Sequence, residues 1–180
     1  MSKKHYVDNK SFYEALVKYR DSKEKAKQLD KPAPRVPEYI GLCIFQIATK
    51  LATKGNFVNY SYKDEMISDG IENCILYMDN FDPTKSKNPF AYFTRIIYNA
   101  YILRIQKEKK QTYIKYKSME NSILQGDSYD VLDDAENVAL NIVSNENIHD
   151  FVRDYEQKIN LKKTTKKIGI EALLRDDSND

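Results

Sequence analysis

Glu65, Ser68, Asp69 and Glu72 recur at i, i+3, i+4 and i+7, the spacing that gathers side chains on one face of a helix. Three of the four are acids. On a helix such a stripe is either a solvated face or a docking surface for a basic helical partner, where charge complementarity sets encounter rate and specificity more than affinity. Gly70 adjoins Asp69, and a mid-helix glycine costs about 1 kcal/mol relative to alanine. Its usual reason is the close approach of another backbone, from within the chain or from a partner.

A second cluster follows. Phe90, Tyr92, Phe93, Tyr98 and Tyr101 place five aromatic rings in twelve residues, beside Arg95, Arg104, Lys107, Lys109 and Lys110. Rings next to cations form a stacking platform with a phosphate-binding edge, the means by which proteins hold unstacked single strands. Phe90 and Ile97 are better read as core. Phe93 and Tyr101 are expected not to share one narrow buried stripe with all the others, which leaves some rings near the surface. A third candidate is the C-terminal stretch, where Ile168, Ile170, Leu173 and Leu174 lie among Glu171, Asp176 and Asp177. This is the format of a peptide that docks in an apolar pocket, or of a last helix packing on its own domain.

Bond-making chemistry finds little support. There is no nucleophile–base constellation and no glycine-rich phosphate loop, and the two histidines, His5 and His149, lie far apart in sequence. Cys43 and Cys74 both fall in apolar stripes, where a thiol acts as a small hydrophobe, and they form no CxxC pair. Neither a metal nor a cofactor is expected, and the chain reads as a binding protein rather than an enzyme. With 41% hydrophobic and 31% charged residues, the composition suits a modest core with polar extensions. No run of 18 apolar residues exists to span a membrane. The polar start MSKKHYVDNK has no secretion signal, so a cytoplasmic location is expected. Net charge is only +2, but it is unevenly placed: Arg104–Lys117 holds six bases and one acid, and Asp127–Glu156 nine acids and one arginine.

These residues need helices to position them. Phe12, Tyr13, Leu16 and Val17 predict a surface helix over 10–29, and the three prolines of KPAPRVP (31–37) a stiff extended linker. Ile40, Ile44, Ile47 and Leu51 predict a helix over 38–54, closed by Gly55–Asn56. In the next helix, with a weak capping signal at Ser61 and Asp64, the expected buried face is Ile67, Ile71, Cys74, Ile75 and Met78. Asn88–Pro89 reads as an N-cap with proline at the first helical position. The helix beyond is apolar nearly all round to Ile105, so it is either the central element of a bundle or an apolar face awaiting a ligand. Short helices are expected around Asp134–Ile142 and Asn147–Ile159. The fold is therefore all-α, a small helical bundle with less ordered N- and C-terminal extensions. Its segments are 1–37 (helix and linker), 38–117 (helical domain), 118–165 (acidic helical extension) and 166–180 (hydrophobic–acidic tail).

The stretch EMISDGIENCILYMDNFDPTKSKNPFAYFTRIIYNAYILRI resembles region 2 of the bacterial RNA polymerase sigma factors. There an acidic, apolar D-L-I-Q-E-G helix is followed by a loop with F-D/E and an F-S-T-Y-A helix. The form with Asp-Gly-Ile-Glu, Asn-Phe-Asp, Lys-Asn-Pro and Ala-Tyr is closest to the late-transcription sigma factors of T-even-type tailed bacteriophages, over about residues 38–112. The resemblance implies a region-2-type bundle in the cytoplasm of an infected bacterial cell. Its partners would be core RNA polymerase, promoter DNA (mainly the opened −10 region) and a sliding clamp, with no membrane involved. Glu65, Ser68, Asp69 and Glu72 would meet the clamp helices of the polymerase large subunit. Tyr92, Phe93, Arg95, Tyr98, Arg104, Lys107, Lys109 and Lys110 would lie along the DNA, with Phe93 stacked on a flipped base. Ile170, Leu173 and Leu174 would bind the sliding clamp.

There are departures from that family. The chain has no tryptophan; Ile96–Ile97 stand where housekeeping sigma factors carry paired tryptophans, and Ala100 and Leu103 where those carry polar base-reading residues. Beyond residue 120 no helix–turn–helix is evident, so an AT-rich −10-type element would serve without a −35 contact. Two readings stand beside this one, both without polymerase as a partner: a sequence-nonspecific single-strand nucleic-acid-binding protein, and a helical protein–protein adaptor.

Overall fold

The computed structural model describes residues 6–124 and 148–161, and among the described residues all regular structure is helical. The elements are α1 (Asn9–Gln28), α2 (Glu38–Ala52), α3 (Lys63–Leu76), a 3-10 turn at Met78–Asn80 and α4 (Pro89–Leu124), followed by a helix over 148–161, here α5. The chain divides into two compact units, Met1–Gln106 and Lys107–Asp180; α4 begins in the first and ends in the second. The helix expected around Asp134–Ile142 and the tail residues Ile170, Leu173 and Leu174 lie outside the described residues.

Both outer helices of the first unit start where side chains satisfy orphan backbone donors. The Asp8 carboxylate accepts the Ser11 N–H at 3.0 Å and the Ser11 hydroxyl, and these bonds hold its pKa below the usual carboxylate range. At the start of α4, Asn88 Oδ1 accepts the Ala91 N–H at 3.0 Å. Asn9 of α1 adds a second cap from a distance: its Oδ1 accepts the Phe90 N–H at 3.1 Å and its Nδ2 donates to the Lys87 carbonyl. α1 is thereby tied to α4 at its first turn. Farther along α1, Tyr13 donates to the Pro83 carbonyl and Arg20 to the Phe81 carbonyl. Its inner residues Phe12 and Leu16 join the common core.

α2 buries Ile40, Cys43, Ile44, Ile47 and Ala48, most of the stripe its periodicity predicts; Leu51 is half-buried, and Phe45, expected to broaden the stripe together with Ala48, is 53% exposed. α4 lies against it, and the Tyr101 hydroxyl donates to the Ala48 carbonyl at 2.8 Å. Along α4 the buried residues are Phe93, Ile97, Ala100, Tyr101 and Ile105. Phe93 and Tyr101 share one buried stripe, and it is Tyr98 that lies near the surface, with Phe90 and Tyr92 half-buried, so the rings do not all share that stripe. Eight residues at 100° each leave Phe93 and Tyr101 only about 80° apart, within the width of an ordinary core-facing surface.

The expected buried face of α3 requires correction by about one residue. Met66, Gly70 and Cys74 are interior, Ile67 and Ile71 flank them, and Ile75 is 54% exposed. The cause is Gly70. A Cβ built there would lie 3.0 Å from Ile97 Cγ2 and 3.0 Å from Tyr101 Cε1, so α4 occupies the space that a side chain would take. Apolar periodicity weights bulk and cannot register a buried residue that has none.

In the second unit, Tyr113 stacks on Tyr155 with ring centroids 4.8 Å apart and Tyr116 meets Phe151 at 6.4 Å. The Tyr113 hydroxyl donates to Glu156 Oε1 at 3.0 Å, and Lys117 bridges Glu120 and Glu156. Opposite charges thus join the two helices through Lys117 and Glu156, beside the ring contacts. Glu156 also raises the Tyr113 pKa, because its hydrogen bond favours the protonated phenol.

Gly70→Val is expected to destabilise the chain by about 1–3 kcal/mol, read from the urea midpoint, whereas Gly41→Ala, with open space at its Cβ, is expected to be neutral or stabilising. A second prediction concerns alkaline pH. Burial pushes the Cys74 thiol up to about 12 and raises Cys43 and Tyr101 as well. An unfolded thiol ionises near ~8.5 and an unfolded phenol near ~10. Above those values the native state holds protons that the unfolded state has released. Stability therefore falls with rising pH, by up to about 1.4 kcal/mol per unit per group. Urea titrations from about pH 8 to 10 should show a shallower decline when both cysteines are alanine.

Candidate functional site

α3 and α4 meet along Gly70, and each turns its remaining side chains outward. On α3 the exposed residues include Glu65, Ser68, Glu72, Ile75 and Leu76, at i, i+3, i+7, i+10 and i+11, one continuous helical stripe. The acidic positions are thus followed on the same face by two apolar side chains, Leu76 being 67% exposed. Tyr77 next to them is exposed too. The sequence reading missed this apolar end because it counted Ile75 as core and ascribed no role to Leu76 or Tyr77. A charged stripe that passes into exposed apolar side chains departs from a merely solvated face and has the make-up of a protein interface, apolar anchors with a polar rim.

Asp69 does not share that outward face. Its carboxylate is gripped by Arg104 of α4, Nε to Oδ2 at 2.7 Å and Nη2 to Oδ1 at 2.9 Å, with side-chain exposures of 31% and 17%. The two residues were expected to serve different partners, Asp69 a protein and Arg104 a nucleic acid. The structure pairs them in a bidentate, charge-assisted bond that locks α3 to α4 just beyond the Gly70 contact. Arg104 is thus a strut in this structure rather than part of an open basic edge.

Phe93 is also corrected. The ring expected to stack on a base is fully buried, with Phe12 at 5.4 Å, Phe81 at 6.4 Å and Tyr92 at 5.1 Å. Exposing a buried phenylalanine forfeits about 1.5–3 kcal/mol of transfer free energy plus its packing. That equals or exceeds the ~1–3 kcal/mol that stacking on one base returns. Tyr92 is half-buried, and its hydroxyl donates to the Tyr77 carbonyl at 2.8 Å. Tyr98 is the α4 ring that reaches solvent, 43% exposed and backed edge-on by Phe57 at 5.5 Å. Arg95, Asn99 and Leu103 are exposed on the same helix. Asn99 was not singled out from sequence, although its i+4 spacing from Arg95 was a signal for it; Leu103 was noted there only as a departure from polar base-reading residues. Lys107, Lys109 and Lys110, all exposed, belong to the second unit.

A cavity of about 570 Å³ lies between α1 and the 78–83 segment, lined by Leu16, Tyr19, Met78 and Phe81 among others. Two of its four lining cations are engaged: Arg20 donates to the Phe81 carbonyl and Lys23 pairs with Asp79, while Lys27 and Lys31 also line it. Among the described residues no group of His, Cys, Asp and Glu could hold a metal ion, and no helix is long and apolar enough to cross a membrane.

No protein-family model matches this chain, and no curated protein matches it. The functional reading therefore rests on these faces.

A double-mutant cycle of Asp69→Ala and Arg104→Ala should give a coupling of about 1 kcal/mol in urea unfolding, within the range for contacting residues and above that of an exposed pair. The partly buried geometry should make it only weakly sensitive to salt.

Proposed function

We propose that this chain is a sigma subunit of the tailed-phage type, which binds host core RNA polymerase through α3 and directs initiation at AT-rich late promoters by recognising and melting a −10-type element. The observation that carries the proposal is the α3 stripe Glu65–Ser68–Glu72–Ile75–Leu76, acidic and then apolar on one exposed face. Such a face suits a basic helical partner: the acids steer and align it and the apolar end supplies the desolvated contact. The resemblance of residues 38–112 to sigma region 2 names that partner as the clamp helices of the polymerase large subunit. Asp69 acts behind the face, holding α3 to α4 through Arg104.

On the DNA side, Tyr98 takes the part first given to Phe93, because it is exposed and supported from behind, with Arg95 on the same helix. Opening about ten base-pair steps at ~1.4 kcal/mol each costs roughly 14 kcal/mol, against ~1–3 kcal/mol from one stacked ring. The chain captures bases in a bubble that the polymerase cleft sustains, and its own binding to promoter DNA is weak and salt-sensitive. Ile170, Leu173 and Leu174 serve as the docking peptide for a sliding-clamp coactivator.

An adaptor that binds polymerase without opening DNA is the second reading, favoured by the burial of Phe93 and Tyr101. Gel filtration with core polymerase, followed by run-off transcription on an AT-rich late-type promoter, decides between them. Wild-type chain should co-elute and support transcription. Glu65→Lys with Glu72→Lys should lose co-elution at an unchanged urea midpoint, and Tyr98→Ala should co-elute yet transcribe poorly. Co-elution of wild type without transcription identifies the adaptor; no co-elution removes the sigma reading.

A further inference from the structure

The second unit sorts its charges by face. On α4 the side directed at α5 holds Tyr113, Tyr116, Lys117 and Glu120, which stack, hydrogen-bond or pair there. The opposite side presents Lys107, Lys110, Gln111, Lys115, Ser118 and Asn121, all exposed, at i, i+3, i+4, i+8, i+11 and i+14, one continuous stripe. It carries three lysines and no acid. Ile114, 53% exposed, sits in its middle. On α5 the acids Asp150 and Asp154 are exposed, Asp150 pairing with Arg153 at 2.7 Å, and among the described residues Lys107, Lys110 and Lys115 form no ion pair. Glu120 and Glu156 are engaged by Lys117 and Tyr113, and Glu108, next to Lys107 in sequence, is half-buried.

We infer that this outward face of α4 is a phosphate-backbone rail for double-stranded nucleic acid. The inference deepens the nucleic-acid half of the proposed function and rests on it. Two observations select a duplex over a single strand. The two tyrosines that could stack on unpaired bases are turned into the α5 contact, so the stripe has no ring, and single-strand sites need one. What remains is ammonium groups with amide and hydroxyl donors, the set that holds phosphate oxygens without reading sequence. Successive lysines rise by about 4.5 and 7.5 Å along the helix at 1.5 Å per residue, more than the ~3.4 Å of duplex axis per phosphate of one strand, so each lysine can meet a different phosphate.

The test is fluorescence anisotropy of the full chain, without polymerase, on an AT-rich duplex and on one of its strands, across roughly 50–200 mM salt. Lys107→Ala, Lys110→Ala and Lys115→Ala are combined and compared with a charge-matched control, Lys18→Ala, Lys50→Ala and Lys85→Ala, all exposed lysines of the first unit. Duplex affinity of the rail variant should fall roughly tenfold or more at low salt, and the slope of log K against log salt should shrink by about 2.7, or 0.9 per lost contact. The control should keep both within about twofold of wild type, scatter small beside that salt-linked loss. Circular dichroism should show the helices kept in both variants. Equal weakening in the two variants, no weakening in the rail variant, or tighter binding of the single strand than the duplex would overturn the inference. Because polymerase is absent, a failure of co-elution leaves this result standing, and a failure here leaves polymerase binding standing.

Discussion

The contact at Gly70 sets the arrangement of the first unit. With Ile97 and Tyr101 each 3.0 Å from where a Cβ would be, α3 and α4 pack closer than side chains ordinarily allow. Two further bonds hold the approach: the Tyr101 hydroxyl reaches across to α2 at Ala48, and Arg104 closes on Asp69 at the next turn. A helix locked on that side has its opposite side determined. Glu65, Ser68, Glu72, Ile75 and Leu76 face outward because Met66, Gly70 and Cys74 face inward.

The same contact explains why exposed residues and packing residues are interleaved along α4. A helix that meets α1, α2 and α3 through one broad stripe uses Phe93, Ile97 and Tyr101 for cohesion and keeps Arg95, Tyr98 and Asn99 for solvent. Aromatic density therefore overstates the stacking surface. Tyr98 remains, and its support by Phe57 restricts the ring before any ligand arrives, so less entropy is lost on binding.

The second unit achieves a comparable sorting with charge. A lysine-rich helix beside an acidic one could simply neutralise it. Here the described charge contact is Lys117 with Glu156, supported by the Tyr113 hydroxyl and the ring pairs, and Lys107, Lys110, Lys115, Asp150 and Asp154 are exposed. Surface pairs of this kind add little stability; their consequence is where charge is presented.

Much of this was legible beforehand. The all-α class, the stripe of α2, the Asn88–Pro89 start of α4 and a helix near 147–159 followed from periodicity and capping, which act within a few residues and leave a local trace. The outward positions of Glu65, Ser68 and Glu72 were legible for the same reason. Three features were not: the rotation of α3 about Gly70, the burial of Phe93, and the Asp69–Arg104 pair across thirty-five positions. Each depends on what another helix places opposite. A sequence states the size, charge and spacing of side chains along one helix, and so which residues can share a face. Which of two possible faces is buried, and whether an acid meets a partner protein or its own arginine, is decided only when helices distant in sequence compete for the same space.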